Sequence, residues 1–239
     1  MDASEDRSLV TLRETFRRQV ELTRNMAPSS LAERLDRLRR LRDLVSQNET
    51  RIASEISADF GHRSPIETTV AETLFVMSEI RHAERHLNTW MAPKCVATQL
   101  QFWPARNRLI PQPLGVVGII APWNYPLQLI LAPAVAALAA GNRVMVKPSE
   151  LVPRFSLLLR EIIQAEFDSA EIYVADADES TAKTFSSLPF DHLIFTGSTR
   201  VGRIVAEAAG RNLTPMTLEL GGKSPAIVDR SADMTEAAE

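Results

Sequence analysis

Cysteine is nearly absent. Cys95 is the only one in 239 residues, so no internal disulfide can form, and an unstapled chain of this length suits a reducing, cytoplasmic setting. The opening MDASEDRSLV is too acidic and polar for a signal peptide, which points the same way. Lysine is scarce as well: of 27 basic residues only Lys94, Lys147, Lys183 and Lys223 are lysines. With a net charge of −3, bulk attraction for nucleic acid is excluded. Uninterrupted apolar runs are missing too. Pro122, Asn124, Pro126 and Pro133 break residues 114–141 into pieces of helix length, which argues for a buried core and against a membrane span. The chain has no G-x-G-x-x-G, and Gly202 is followed by Arg203-Ile204 where a P-loop needs Lys and then Ser or Thr. His82 and His86 stand four apart, but Ala83 follows His82 where a zincin needs glutamate, so two surface histidines and no metal are expected.

What is present is organised around residues 112–150, QPLGVVGIIAPWNYPLQLILAPAVAALAAGNRVMVKPSE. The pattern predicts a buried strand over 115–120, a proline-rich loop over 121–126, an apolar helix ending at Gly141 and a second buried strand over 143–146. Apolar strands joined through a helix imply a parallel sheet covered on both faces, whose ligand crevice lies beyond the carboxyl ends of the strands.

Upstream, helical spacing places Leu9, Leu12, Phe16 and Val20 on one face. A capping box, Ser30-Leu31-Ala32-Glu33, opens a second helix, and a third short one carries Ile52, Ile56 and Phe60. Ser64-Pro65-Ile66-Glu67 reads as another capping box, opening a helix with Val70, Leu74, Met77, Leu87 and Trp90 on its apolar face. The arginines between Arg34 and Arg51 alternate with acids and are expected on solvated faces. Residues 94–112 predict a projecting hairpin turning at 104–107. Downstream, helices over 154–167, 179–188 and 199–209 alternate with strands over 171–175, 192–195 and 216–220. The fold class is therefore α/β, a doubly wound Rossmann-like parallel sheet preceded by a helical N-terminal layer.

Several polar residues gather at the predicted strand ends. Lys147 and Glu150 suit the hydroxyls of a ribose, or are plain loop charges. Gly197-Ser198-Thr199 joins a strand to a helix, where free N–H groups and the helix dipole favour a phosphate; an ordinary helix cap has the same sequence. Asn124 offers an amide donor in a proline-held loop, as an oxyanion partner or a turn residue. Glu219, at the end of an expected buried strand, is a general-base candidate with a raised pKa, unless Lys223 pairs with it.

Taken together, PLGVVGIIAPWNYPL, VMVKPSE, FTGSTRVG and LELGGKSPAIV, in this order, resemble the aldehyde dehydrogenase superfamily. ADFGHRS and LPFDH are most similar to its coniferyl aldehyde dehydrogenase branch, near the class 3 group. The resemblance implies oxidation of an aldehyde, aromatic in this branch, to its acid with NAD, NADP being compatible, and a homodimer at full length. It assigns Asn124 as oxyanion donor and Glu219 as base. Trp123, Lys147, Ser149, Glu150, Gly197, Ser198, Gly202, Leu220 and Gly221 would contact the cofactor. It divides the chain into a helical part of the cofactor domain (1–93), an oligomerisation-type hairpin (94–112), a dinucleotide-binding core (113–215) and the start of a catalytic domain (216–239). The family's nucleophilic cysteine is expected beyond Glu239, so these residues alone are expected to be inactive: a cofactor-binding remnant, or half of a split enzyme. Asp176 departs from the family's glycine and is expected near the adenine side of the cleft. The polar tail over 231–239 is expected to be disordered.

Overall fold

The computed structural model describes residues 3–238. Five strands, β3 (Val116–Ile120), β4 (Arg143–Lys147), β5 (Ile172–Val174), β6 (His192–Gly197) and β7 (Met216–Leu220), form one parallel sheet in the order β5-β4-β3-β6-β7. The chain moves outward from β3 through β4 to β5, then returns to the other side of β3 for β6 and β7. The order thus reverses between β3 and β6, the kind of switch point where open α/β sheets hold ligands.

Alternation along the strands divides the core. Val117, Ile119, Val144 and Val146 face α2 (Leu31–Phe60), α4 (Leu74–Met91), α5 (Gln128–Ala139) and α6 (Pro153–Glu166). Val116, Ile120 and Met145 face the opposite layer, where α1 (Ala3–Asn25), α7 (Glu179–Ser186) and α8 (Thr199–Gly210) contribute Leu12, Phe16, Phe185 and Val205. The hairpin is present, with β1 (Lys94–Val96) antiparallel to β2 (Asn107–Leu109). No helix among the described residues is long and apolar enough to cross a membrane.

Three local expectations are corrected. The second and third helices are one: α2 runs unbroken for 30 residues from its Ser30–Glu33 capping box to Gly61, which closes it at φ +81°. Its arginines are not all solvated. Arg34 is buried and donates to Ala139 O at 3.2 Å, while Arg37 and Arg40 both reach Glu171, tying α2 to the base of β5. Through these bonds α2 braces the end of α5 and the start of β5.

The third correction concerns the next helix. Ser64 makes no side-chain capping bond, and between α3 (Pro65–Thr68) and α4 the chain passes through a π-helical turn, Thr69–Thr73. The wider turn shifts the facing of the helix, so Val70, Leu74 and Trp90 are exposed, Met77 and Leu87 are buried, and Thr68, Glu72 and Thr73 point inward. Trp90 stacks on His86, itself 4.2 Å from the His82 ring.

At the far end, residues 217–237 are exposed. Asp229 and Asp233 accept hydrogen bonds from Ser231 N and Thr235 N, leading to a short 3-10 helix, Glu236–Ala238; the expected disordered tail ends on Glu239, outside the described residues.

Candidate functional site

A cleft of about 1280 Å³ opens at the carboxyl ends of the strands, on the α7–α8 side of the switch point. Four of the five strands end in it, β5 being the exception. β3 leads into Pro122, Trp123 and Asn124, and β4 ends in Lys147 with Ser149 and Glu150 beyond. β6 supplies Gly197 and Ser198, and β7 supplies Glu219, Leu220 and the following Gly221. Ten of the eleven residues singled out from sequence, namely those just named apart from Pro122, therefore share one wall.

The eleventh, Gly202, is buried beneath that wall. A Cβ at Gly202 would stand 2.6 Å from a Leu220 methyl, so it is the missing side chain that lets α8 lie close on β7. Arg200 and Val201 line the cleft and had not been singled out. Nothing in their sequence distinguishes them from other first-turn residues of a helix.

Lys147 is only 2% exposed, and its ammonium donates to Glu150 Oε2 at 2.9 Å. Burial, the largest single influence, pushes the Glu150 carboxyl up, but the Lys147 hydrogen bond, a backbone hydrogen bond and the Lys147 charge together outweigh it and hold the group below the ordinary carboxylate value. The surface-loop reading of Lys147 fails, because its ammonium is enclosed while Glu150 stays accessible at the rim. Ser149 is buried and its hydroxyl accepts from Leu151 N at 3.2 Å, fixing the turn that presents Glu150.

Ser198 caps α8, accepting from Val201 N at 3.3 Å. The other first-turn N–H groups of a helix have no partner within it, so this end of α8 combines donors and positive dipole beside Lys147 and Glu150. The chemistry of that donor set is compatible with a dinucleotide. Glu219 corrects an expectation: β7 is the edge strand and Glu219 is exposed on it, not buried. Among the described residues it forms no ion pair, with Lys223 or any other cation.

Asp176 has partners of its own. Its carboxylate is held by Arg160 and by the Ser8 hydroxyl, and it is not part of the cleft wall. Asn124 lies in the loop before α5, its carbonyl accepting from Arg63 Nη1 at 2.6 Å. Arg63 and its partner Glu72 were given no role from the sequence; Glu72 falls between Val70 and Leu74, off the apolar face that those two residues define, and carries no periodic signal.

A parallel α/β sheet with polar residues from four strand ends in a crevice at its switch point defines a doubly wound ligand-binding protein. The chain belongs to the aldehyde dehydrogenase family, whose sequence pattern matches residues 12–239. It is 47% identical over 207 residues to a probable coniferyl aldehyde dehydrogenase of Pseudomonas aeruginosa, covering 87% of this chain and 44% of that protein. The substrate-bound AldH of Staphylococcus aureus superposes with a TM-score of 0.86 at 34% identity, over 93% of this chain and 48% of that one. A mutant aldehyde dehydrogenase C of Pseudomonas syringae, in complex with NAD+ and octanal, superposes with a TM-score of 0.78 at 25% identity, over 96% and 46% of the two chains. The chain thus spans about half the length of the relatives it matches.

Proposed function

We propose that this chain is the dinucleotide-binding half of an NAD(P)-dependent aldehyde dehydrogenase acting on aromatic aldehydes of the coniferyl type. The observation that carries this reading is the convergence of Lys147, Glu150, Ser198, Asn124 and Glu219 on one cleft. The likeness to a coniferyl aldehyde dehydrogenase supports the substrate class, and the NAD+ complex of a structural neighbour supports the cofactor.

When bound, the nicotinamide dinucleotide supplies the oxidising equivalent by accepting a hydride. The residues of this chain do the rest. Lys147 donates to a ribose hydroxyl and the Glu150 carboxylate accepts from one. The same carboxylate repels a 2′-phosphate, so NAD is the preferred form. The end of α8 and the Ser198 region take the diphosphate. When a nucleophile adds to the aldehyde carbon, the Asn124 amide donates to the oxygen that becomes negative. Glu219, exposed and unpaired, takes the proton from the water that releases the acid. In this division β7 belongs to the sheet and also opens the catalytic part, residues 216–239. The nucleophile lies on the remainder of the family's length. A cytoplasmic site of action and a homodimer at full length complete the proposal.

Titration of the purified chain with NAD and NADP, followed by calorimetry, tests the cleft. Saturable 1:1 binding, tighter for NAD, is expected. Lys147→Met should weaken it about 10- to 100-fold, the loss of a charge-assisted hydrogen bond worth about 1.5–3 kcal/mol. A folded chain that binds neither nucleotide overturns the reading.

A further inference from the structure

Behind the cleft, a buried ion pair grips the loop that carries Asn124. Glu72 has no exposed surface, and Arg63 keeps about 3% of its side chain accessible. Arg63 Nη1 lies 3.3 Å from Glu72 Oε1 and donates to Asn124 O at 2.6 Å. The other oxygen, Glu72 Oε2, accepts from Leu127 N at 2.7 Å and Gln128 N at 3.1 Å, at the start of α5. The guanidinium also lies over two rings, 5.0 Å from the Phe60 centroid and 4.7 Å from that of Tyr125, while the Trp123 ring lies 5.6 Å from that of Phe60. Residues 123, 124, 125, 127 and 128 are therefore all held, directly or through Phe60, by one pair and its ring.

The arrangement is costly in itself. A buried ion pair often stabilises no more than apolar residues of the same volume would, so stability alone is a weak explanation for it. Glu72 itself lies in the π-helical turn Thr69–Thr73, an irregularity in an otherwise regular helix. Every bond of the pair outside itself and Glu67 ends on the loop and first turn that follow β3. Asn124 lines the cleft on one side of that loop and a smaller pocket with Phe60, Arg63 and Tyr125 on the other.

We propose that Arg63 and Glu72 are positioning residues that hold the backbone of the 123–128 loop from behind, so that the Asn124 amide stands in the cleft before any aldehyde arrives. The proposal rests on the reading of Asn124 as oxyanion donor. A donor acts only when placed where the charge develops, and a displacement of about 1 Å costs on the order of 100-fold in rate.

The test uses the whole chain with Trp90→Phe and Trp103→Phe, both exposed positions, so that Trp123 alone reports on the loop. Into it go Arg63→Met, Glu72→Ala and Glu72→Gln, the last retaining an acceptor for the two amides. Three quantities are read at neutral pH: amide exchange at Leu127 and Gln128, acrylamide quenching of Trp123, and the Kd for NAD. Arg63→Met and Glu72→Ala should speed exchange about tenfold or more and raise quenching, with exchange in β4 and α6 unchanged and the NAD Kd within about threefold. Glu72→Gln should restore most of the protection at the two amides. Unchanged exchange and quenching in both disruptive variants overturns the proposal. So does faster exchange spread evenly over the sheet, which is what a merely stabilising pair would give. If Glu72→Ala does not fold, Arg63→Met and Glu72→Gln decide by the same readouts. Failure of the parent chain to bind NAD sinks the reading of the cleft and leaves the loop measurements to judge the clamp. In the protein with its nucleophile present, Arg63→Met should lower kcat about 10- to 100-fold with the KM for NAD unchanged, and should add little to the loss caused by Asn124→Ala.

Discussion

Glu219 and Glu72 show how differently two carboxylates of one chain are placed for chemistry. Glu219 sits open to solvent on an edge strand, as its proposed role as a base toward water requires. Its replacement by Gln is expected to slow release of the acid about 100-fold or more in the protein with its nucleophile present, leaving NAD affinity unchanged; undiminished steady-state turnover would remove Glu219 from the role. Glu72 is enclosed, and burial pushes its carboxyl above the ordinary carboxylate value, against the opposing pull of the Gln128 and Leu127 amides and of Arg63. Between the unfolded-state value, about 4.3, and its raised value in the fold, the native state holds a proton that the unfolded chain has lost. This group's contribution to stability therefore declines as pH rises through that window. Urea unfolding of the parent and Glu72→Gln across it is expected to show the variant lacking that downward component. Parallel curves would contradict it.

Among the elements, α2 and α5 explain most of the architecture through their ends. α5 is nearly all apolar, and its termini are served by other elements: Glu72 accepts from its first amides, and Arg34 of α2 donates to Ala139 O at its last turn. Opposite charges at the two ends also match the helix dipole. The chain leaves α5 through Gly141 at φ +90°, where Arg34 packs so closely that a Cβ would stand 2.5 Å from its guanidinium carbon. The other end of α2 does the same for α6, as Asp59 accepts from Arg154 N at 3.1 Å and Phe155 N at 2.9 Å. Asp59→Ala is expected to cost about 1 kcal/mol, the usual loss of an N-terminal cap, measured as a lower urea midpoint at unchanged m-value. A midpoint equal to the parent's would show that α6 needs no cap from α2.

For the molecule as a whole, the sheet is covered on both faces, but β7 leaves one edge open, with Leu218 and Leu220 partly exposed. Free edges of this kind pair with one another. The 239-residue chain should therefore self-associate with rising concentration, and Leu218→Lys should lower the mass seen by light scattering. Equal masses for the two would acquit the edge. The sequence by itself determined the alternation of strands and helices, the parallel sheet and the four loops that bear the site. Apolar runs, capping residues and strand-to-helix junctions are local signals, and FTGST and ELGGK carry their meaning in a few consecutive positions. Only the tertiary structure decided that α2 is a single brace, that Arg34 is buried, that Gly202 serves packing and that Glu219 lies open. It alone joined Arg63 and Glu72 to Asn124, which lies 61 and 52 positions further along the chain. A π-helical turn and a buried ion pair satisfy long-range packing and hydrogen-bond demands, and those demands leave no periodic trace in the residues that meet them.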